Sequence, residues 1–343
     1  MIEASSRIPA IWLEAALEVS EQYLLILGTA GGSTTWTPTD TWVKEGKRPR
    51  HGTSSVLVVR DHLYVVDFGI GSSRQLAIAD PLERGRRRVL ADVRAMFVTH
   101  LHADHILDLP EYLVCGDSLG WPDVPVPVFG PKERVTKGGH IVRGISGTID
   151  AIEGFLEADS VGRNRVGLPC GCVAVEIEHD SLHEDGSASP SVGPIEVYRD
   201  NRVHVTATLV EHGSMFPAFA YRFDTDTSSV VFSGDTAPSE SLIALSSGAE
   251  VLVHEVIDDS FRLQVAGEPP YSHKQKLGFE QILAKHTNVR DVGRIAERCG
   301  VKKLVLNHLV PANMESGEWK QKVSGFRGEV IVGEDLMRIA LGR

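Results

Sequence analysis

Histidines and acids crowd one short stretch of the chain, Thr99-His100-Leu101-His102-Ala103-Asp104-His105-Ile106-Leu107-Asp108-Leu109. Imidazole nitrogen and carboxylate oxygen are donors that zinc, iron and manganese accept, so the stretch can hold metal without a cysteine. It follows the apolar, strand-like Ala95–Val98 and leads into a helix-like pattern, which puts it at a strand end, where loops carry chemistry. Alternate residues of an extended segment share a side, so His100 and His102 face one way. Asp104 and His105 can turn at the helix start toward a second position. Four donors thus come from six residues, a spacing that a His-rich surface loop seldom reaches by chance.

The motif resembles that of the metallo-β-lactamase superfamily, in its ribonuclease Z/arylsulfatase-like branch. Other segments resemble the family in the same order: Gly28-Thr29-Ala30-Gly31-Gly32, Asp67 in Val66-Asp67-Phe68-Gly69, His212 in Glu211-His212-Gly213, Asp235 in Ser233-Gly234-Asp235-Thr236, and His308 in Asn307-His308-Leu309. The similarity runs over about residues 22–341. It implies two divalent metal ions, zinc foremost and manganese or iron as alternatives. His100, His102 and His212 would hold one, Asp104, His105 and His308 the other, and Asp235 would bridge them. Asp67 is expected behind the ligands, taking the far N–H of a metal-bound imidazole. Asp104 is expected to orient the metal-activated hydroxide. His254-Glu255 resembles the family's His-Glu step, in which the histidine faces the substrate and can protonate a leaving group or hold an oxyanion, with Glu255 expected behind it. The set is physically coherent: each proposed ligand sits at or just past an apolar segment, and two neighbouring cations need Asp104 and Asp235 to offset their charge. His286, before a helix for which Thr287 is a plausible N-cap, is a further candidate to approach the site.

The elements that must position these residues alternate between strand-length Val/Ile/Leu runs and longer helical patterns, which predicts a mixed α/β fold. Strands are expected at 22–28, 54–59, 62–68, 95–99, 126–129, 172–178, 194–199, 203–210, 217–223, 229–233, 250–254 and 303–307. Helices are expected at 103–116, 140–157, 238–246, 277–285, 289–299 and 316–323, and Arg60–Asp61 reads as a hairpin turn. The resemblance implies a four-layer αββα sandwich, two mixed β-sheets flanked by helices. Residues 1–21 read as an N-terminal helical extension and 22–343 as one metallo-β-lactamase-like domain with inserted loops at about 159–200 and 259–276.

Composition narrows the classes. The 343 residues are 42% hydrophobic and 24% charged, an ordinary globular balance, with no apolar run long enough for a membrane span. Four cysteines without a Cys-x-x-Cys pair exclude a disulfide framework and point to a reducing, cytoplasmic setting; Glu3, Glu14 and Glu18 interrupt any signal-peptide core. The net charge of −11 argues against a broad basic face, and the basic clusters Lys44–Arg50 and Arg84–Arg88 read as solvated surface. The resemblance adds that the 23-residue step from His212 to Asp235 leaves no room for the long tRNA-gripping arm of ribonuclease Z enzymes. Nucleic acid is therefore not expected as a partner; a small molecule is, with a homodimer left open. Phe261, Pro269, Pro270 and Tyr271 in loop 259–276, with Trp36 and Trp42, would form an aromatic wall for it. The expected function is a metal-dependent hydrolase acting on a small ester such as an aryl sulfate or phosphodiester. The alternatives are a ribonuclease Z-like phosphodiesterase, a lactonase, a hydrolytic dehalogenase or a mono-iron redox member of the fold.

Overall fold

Ser54–Val59 and Val251–Ile257 are buried at every residue. A strand covered on both faces must lie inside a layered fold, with a sheet on one side and helices on the other. The structure of the protein, a computed structural model, describes residues 22–32, 49–85, 88–122, 124–136, 138–162, 171–178 and 193–342. The extension expected over 1–21, Trp36 and Trp42 lie outside the described residues.

The first sheet is built from β1 (Gln22–Gly28), β2 (Ser54–Val59), β3 (His62–Val66), β4 (Val93–Phe97), β5 (Val126–Pro131) and β8 (Cys172–Ile177), with β6 (Arg134–Val135) and β7 (Ile141–Val142) forming a small separate ribbon. The second is built from β9 (Ile195–Arg199), β10 (His204–Leu209), β11 (Phe219–Asp224), β12 (Ser229–Phe232), β13 (Val251–Ile257), β14 (Lys303–Val310) and β15 (Glu329–Val332). The last strand, β16 (Arg338–Ala340), returns to pair with β1, giving the orders β16-β1-β2-β3-β4-β5-β8 and β15-β14-β13-β12-β11-β10-β9. Each sheet is antiparallel over one part and parallel over the other: β3-β4-β5-β8 and β12-β13-β14-β15 are the parallel runs. Parallel neighbours need crossovers, and these supply the helices.

Helices α1 (Ser72–Ala79), α2 (Ala103–Ile106), α3 (Leu109–Leu119), α4 (Ile145–Phe155) and α5 (Glu157–Gly162) belong to the first half. Helices α6 (Glu240–Leu245), α7 (Phe261–Ala266), α8 (His273–Leu283), α9 (Val289–Cys299) and α10 (Ser316–Lys322) belong to the second. Leu76, Tyr112, Leu113, Ile145 and Ile149 cover the outer face of the first sheet, while Leu242, Val292, Ala296 and Trp319 cover that of the second. Between the sheets, Phe97 of β4 meets Phe223 and Tyr221 edge-on, with centroids 5.0 and 5.4 Å apart. The result is the αββα sandwich.

The hairpin at Arg60–Asp61 is present, with Arg60 at φ +54° joining β2 and β3. Helix α9 spans the expected residues, but its N-cap is Asn288, whose side chain accepts from the Arg290 N–H. The helix expected over 103–116 is split into α2 and α3, because Pro110 is suited to a helix start and cannot donate to a continuing one. The expected loop 259–276 instead contains α7 and the start of α8. Phe261 is fully buried there and packs edge-on against Phe279 at 5.6 Å; Tyr271 does so at 5.1 Å. Phe261 therefore belongs to the core rather than to a wall for substrate, while Pro269 and Pro270 are exposed and Tyr271 is half-buried. Within the expected insertion at 159–200, β8 and β9 each form one edge strand of a sheet.

Candidate metal centre

The polar residues gather where strands of the two sheets end on the same rim. After β4 the chain runs through His100 and His102 into α2, which carries Asp104 and His105. His212 follows β10, Asp235 follows β12, and His308 lies in β14 with φ +45°. Gly234 precedes Asp235 at φ +58°, packed so closely on the Phe219 carbonyl that a Cβ would overlap it; only glycine lets the chain turn there.

Two groups of ligand-type atoms result, and a third, Asp235, His286 and His308, overlaps them. His102 Nδ1 lies 3.0 Å from His100 Nε2 and 3.1 Å from His212 Nε2, while Asp235 Oδ2 is 3.8 Å from His100 Nε2 and 3.7 Å from His212 Nε2. On the other side, Asp235 Oδ1 lies 3.3 Å from both His105 Nε2 and His308 Nε2. Asp104 Oδ2 completes that group, 3.2 Å from His308 Nε2 and 3.7 Å from His105 Nε2. One carboxylate therefore presents one oxygen to each group. Within each metal-type cluster the atoms lie within 4.8 Å of one another.

The surroundings fix which ring nitrogens point inward. His105 Nδ1 meets Asp67 Oδ2 at 2.8 Å, and His212 Nδ1 meets the Lys285 carbonyl at 3.0 Å, so each Nε2 turns its lone pair to the centre. Asp67 itself sits at φ +58° and is held by the Thr99 N–H and hydroxyl, each at 2.8 Å. The backbone N–H of Gly32 donates to Asp104 Oδ2 at 2.8 Å. Gly31 packs on the His308 ring so tightly that a side chain would collide with it.

Electrostatics agree with this geometry. Burial, reinforced by neighbouring imidazoles, holds His100 well below the usual histidine range and His102 down at about 4; burial also lowers His212. These rings are neutral at neutral pH, as ligands must be. Burial would raise Asp235, but His308 and His105 outweigh it and hold the carboxyl well below its ordinary value. The same contest lowers Asp104, with His105 and His308 prevailing over burial. Conversely, the carboxylates around His105 and His308 overcome burial and raise both, so positive charge is favoured there, and a bound cation would take the place of those protons. Buried His105 Nε2 and Asp235 Oδ1 have no hydrogen-bond partner. An all-imidazole and carboxylate donor set with orphaned inward atoms fits divalent cations.

His254 does not join the centre. Strand alternation puts it on the face of Leu252, toward the helix-covered core, with Nδ1 2.7 Å from the Glu255 carbonyl. Glu255 points the other way. Its Oε1 accepts from the backbone N–H groups of Thr236 (3.0 Å) and Thr287 (3.1 Å) and lies 3.1 Å from His286 Nδ1. His286 thus occupies the place expected of His254: its ring lies 5.0 Å from that of His212 and stacks 5.9 Å from that of His308. Burial alone would lower it, but Glu255 prevails and brings it up to about 9. His286 approaches the site as expected; the signal overlooked is its pairing with Glu255, since a glutamate buried at a strand end needs a cation and Lys285-His286-Thr287 offers one just before a capped helix.

Residues 48–270 match the model of the metallo-beta-lactamase superfamily. The chain belongs to that superfamily. It is 28% identical over 304 residues to a protein named ribonuclease Z from Mycobacterium bovis, covering 84% of this chain and 92% of that one. A ribonuclease Z from Mycolicibacterium paratuberculosis is 29% identical over 300 residues, at 84% and 92% coverage. The crystal structure of the short form of human tRNase Z superposes with a TM-score of 0.54 at 19% identity, covering 93% of this chain and 99% of that one, which shows the shared fold. Family membership and these relatives make the chain a metal-dependent hydrolase.

The relatives' names overturn the expectation of a small-molecule substrate without nucleic acid. The physical error was to let a net charge of −11, averaged over the chain, stand for the field at one rim. The short His212–Asp235 step excludes one way of gripping RNA and no other. Among the described residues no helix is long and apolar enough to cross a membrane.

Proposed function

We propose that the protein is a ribonuclease Z-like phosphodiesterase that hydrolyses a phosphodiester bond of RNA at this rim. The observation that carries the reading is the division of Asp235, Oδ1 toward His105 and His308 and Oδ2 toward His100 and His212. Such a carboxylate suits a pair of cations, and the names of the relatives supply the substrate class. His100, His102 and His212 would hold one ion and Asp104, His105 and His308 the other, with zinc favoured by the imidazole-rich set. Bound there, the ions lower the pKa of water toward neutrality and offset charge building on the phosphate oxygens.

The chain's own residues do the rest. Asp67 orients His105, and Asp104, held by the Gly32 N–H, is placed to orient the attacking water. With His286 Nδ1 engaged by Glu255, Nε2–H is the proton free to leave. As the water, its proton given up to solvent, adds to phosphorus and the bond to the ribose oxygen breaks, that oxygen takes the proton from His286. The scattered cysteines support a reducing, cytoplasmic setting, where RNA is at hand. The test is cleavage of a 3′-extended tRNA transcript by the metal-loaded protein, with loss on chelation and recovery on adding zinc or manganese. Loaded protein that leaves the transcript intact would refute the reading.

A further inference from the structure

A cavity of about 550 Å³ opens beside the metal rim, lined by His51, Ile70, Gly71, Ser73, Arg74, Ala77, Asp108 and Glu111. Its volume is within the range of sites that take a small organic ligand. The segments that build the rim also build this wall. Asp67, which holds His105, is followed by Ile70 and Gly71, and the turn carrying Asp104 and His105 runs on to Asp108, whose N–H donates to the Phe68 carbonyl at 2.9 Å. The His51 carbonyl accepts from Thr29 and Ala30, the start of the loop that reaches Asp104 through Gly32.

The lining is preorganised. Asp335 Oδ2 accepts from the His51 N–H at 2.6 Å and lies 2.8 Å from its Nδ1, while Gly71, at φ +87°, presses against the ring edge where a Cβ would collide. The ring is locked, yet the side chain stays 37% exposed. Ile70 is 41% exposed beside it, an apolar group at a polar rim. Arg74 is exposed and makes no ion pair among the described residues. Asp108 Oδ2 is taken by the Ser73 N–H at 2.7 Å and by Ser72 Oγ at 3.2 Å.

We propose that this cavity receives the nucleotide next to the scissile phosphodiester, a step that rests on the RNA reading above. The base lies on the His51 ring and Ile70, its phosphate meets Arg74, and the Asp108 carboxylate faces the amino edge of the base. Rigid flat and apolar surfaces bind unstacked bases, and a guanidinium at the edge binds the backbone. Carboxylates accept from exocyclic amines and offer nothing to a uracil carbonyl.

The experiment compares wild-type protein with the Arg74→Glu and Ile70→Asp variants on a 3′-extended tRNA transcript, with metal content measured for each. The expected result is a rise in KM of about tenfold or more in both variants, a much smaller change in kcat, and partial recovery in Arg74→Lys. Transcripts carrying uridine in place of an amino-bearing base on either side of the cut should show a raised KM with the wild-type protein. If the wild-type protein cleaves the transcript and both variants keep its KM, the subsite is overturned while the RNA reading stands. If the wild-type protein binds metal but cleaves no RNA, the RNA reading fails and takes the subsite with it.

Discussion

Strands β3 and β10 each run between two polar clusters, and the clusters obey opposite rules. At one end, Asp200 accepts from Tyr64 Oη (2.7 Å), Tyr198 Oη (3.0 Å) and the backbone N–H groups of Arg202 (2.7 Å) and Val203 (2.9 Å). Every acceptor there meets a donor. At the other end, past Val66 and Leu209, three imidazole nitrogens converge within 3.1 Å steps, and a carboxylate lies wedged between two histidine groups. Hydrogen bonding can satisfy a cluster like the first without help; it cannot satisfy converging lone pairs. The first cluster closes on itself and stabilises the fold, whereas the second is complete only with cations.

Asp235→Ala tests that contrast hardest. Removing the carboxylate that faces both groups should strip bound metal and lower RNA cleavage by on the order of a thousandfold or more. Elemental analysis alongside initial rates gives the answer, and a variant that keeps its metal and its turnover would erase the distinction between the two ends.

A pair of variants sharpens the metal end next. His286→Ala should keep its metal and lose kcat by on the order of 10²–10⁴-fold, the range expected when a proton donor is lost. His254→Ala, on β13 beside Glu255 but facing the helix-covered core, should instead lower stability by about 1–3 kcal/mol, through a small cavity and an unpaired Glu255 carbonyl. Chemical denaturation and steady-state rates on both variants separate the roles. A larger kcat loss in the His254 variant than in the His286 variant reverses the assignment.

The two ends were unequally legible in the sequence. The ligand cluster could be read because His100, His102, Asp104 and His105 are local, and period-two alternation predicts where they point. His212, Asp235 and His308 are distant in sequence and came only through resemblance. Alternation also decides between His254 and Glu255, but sequence does not say which face of β13 looks to the rim. Glu255 holds that face because Val251 and Val253 fill the core between the sheets, which required both sheets to be in place. The Asp200 cluster left no local trace either, since Tyr64 and Asp200 are 136 residues apart. Strands such as Ser54–Val59 were legible as continuous apolar runs, whereas α7 is only six residues long and carries no clear period. The expectation of a small-molecule partner rested on overall charge, which says little about a local rim.

The smallest effect lies at the self-satisfied end and can be given a sign. Burial would raise the Asp200 carboxyl, but hydrogen bonds from Tyr64, Arg202, Val203 and Tyr198 outweigh it and lower its folded value below the ordinary carboxylate range. A lowered folded value means that the carboxylate contributes stability above the unfolded pKa of about 3.9 and loses it as pH falls through the folded one. Asp200→Asn should therefore be less stable than wild type at neutral pH, by about 1–2 kcal/mol, a modest figure because the side chain is 18% exposed. The gap should stay level down to about pH 5 and narrow below about pH 4. Urea midpoints at several pH values measure it, with metal content and RNA cleavage followed in parallel. A gap that widens in acid contradicts the hydrogen-bond account, and an Asp200 variant that sheds metal shows that the two ends of β3 and β10 are coupled rather than separately built.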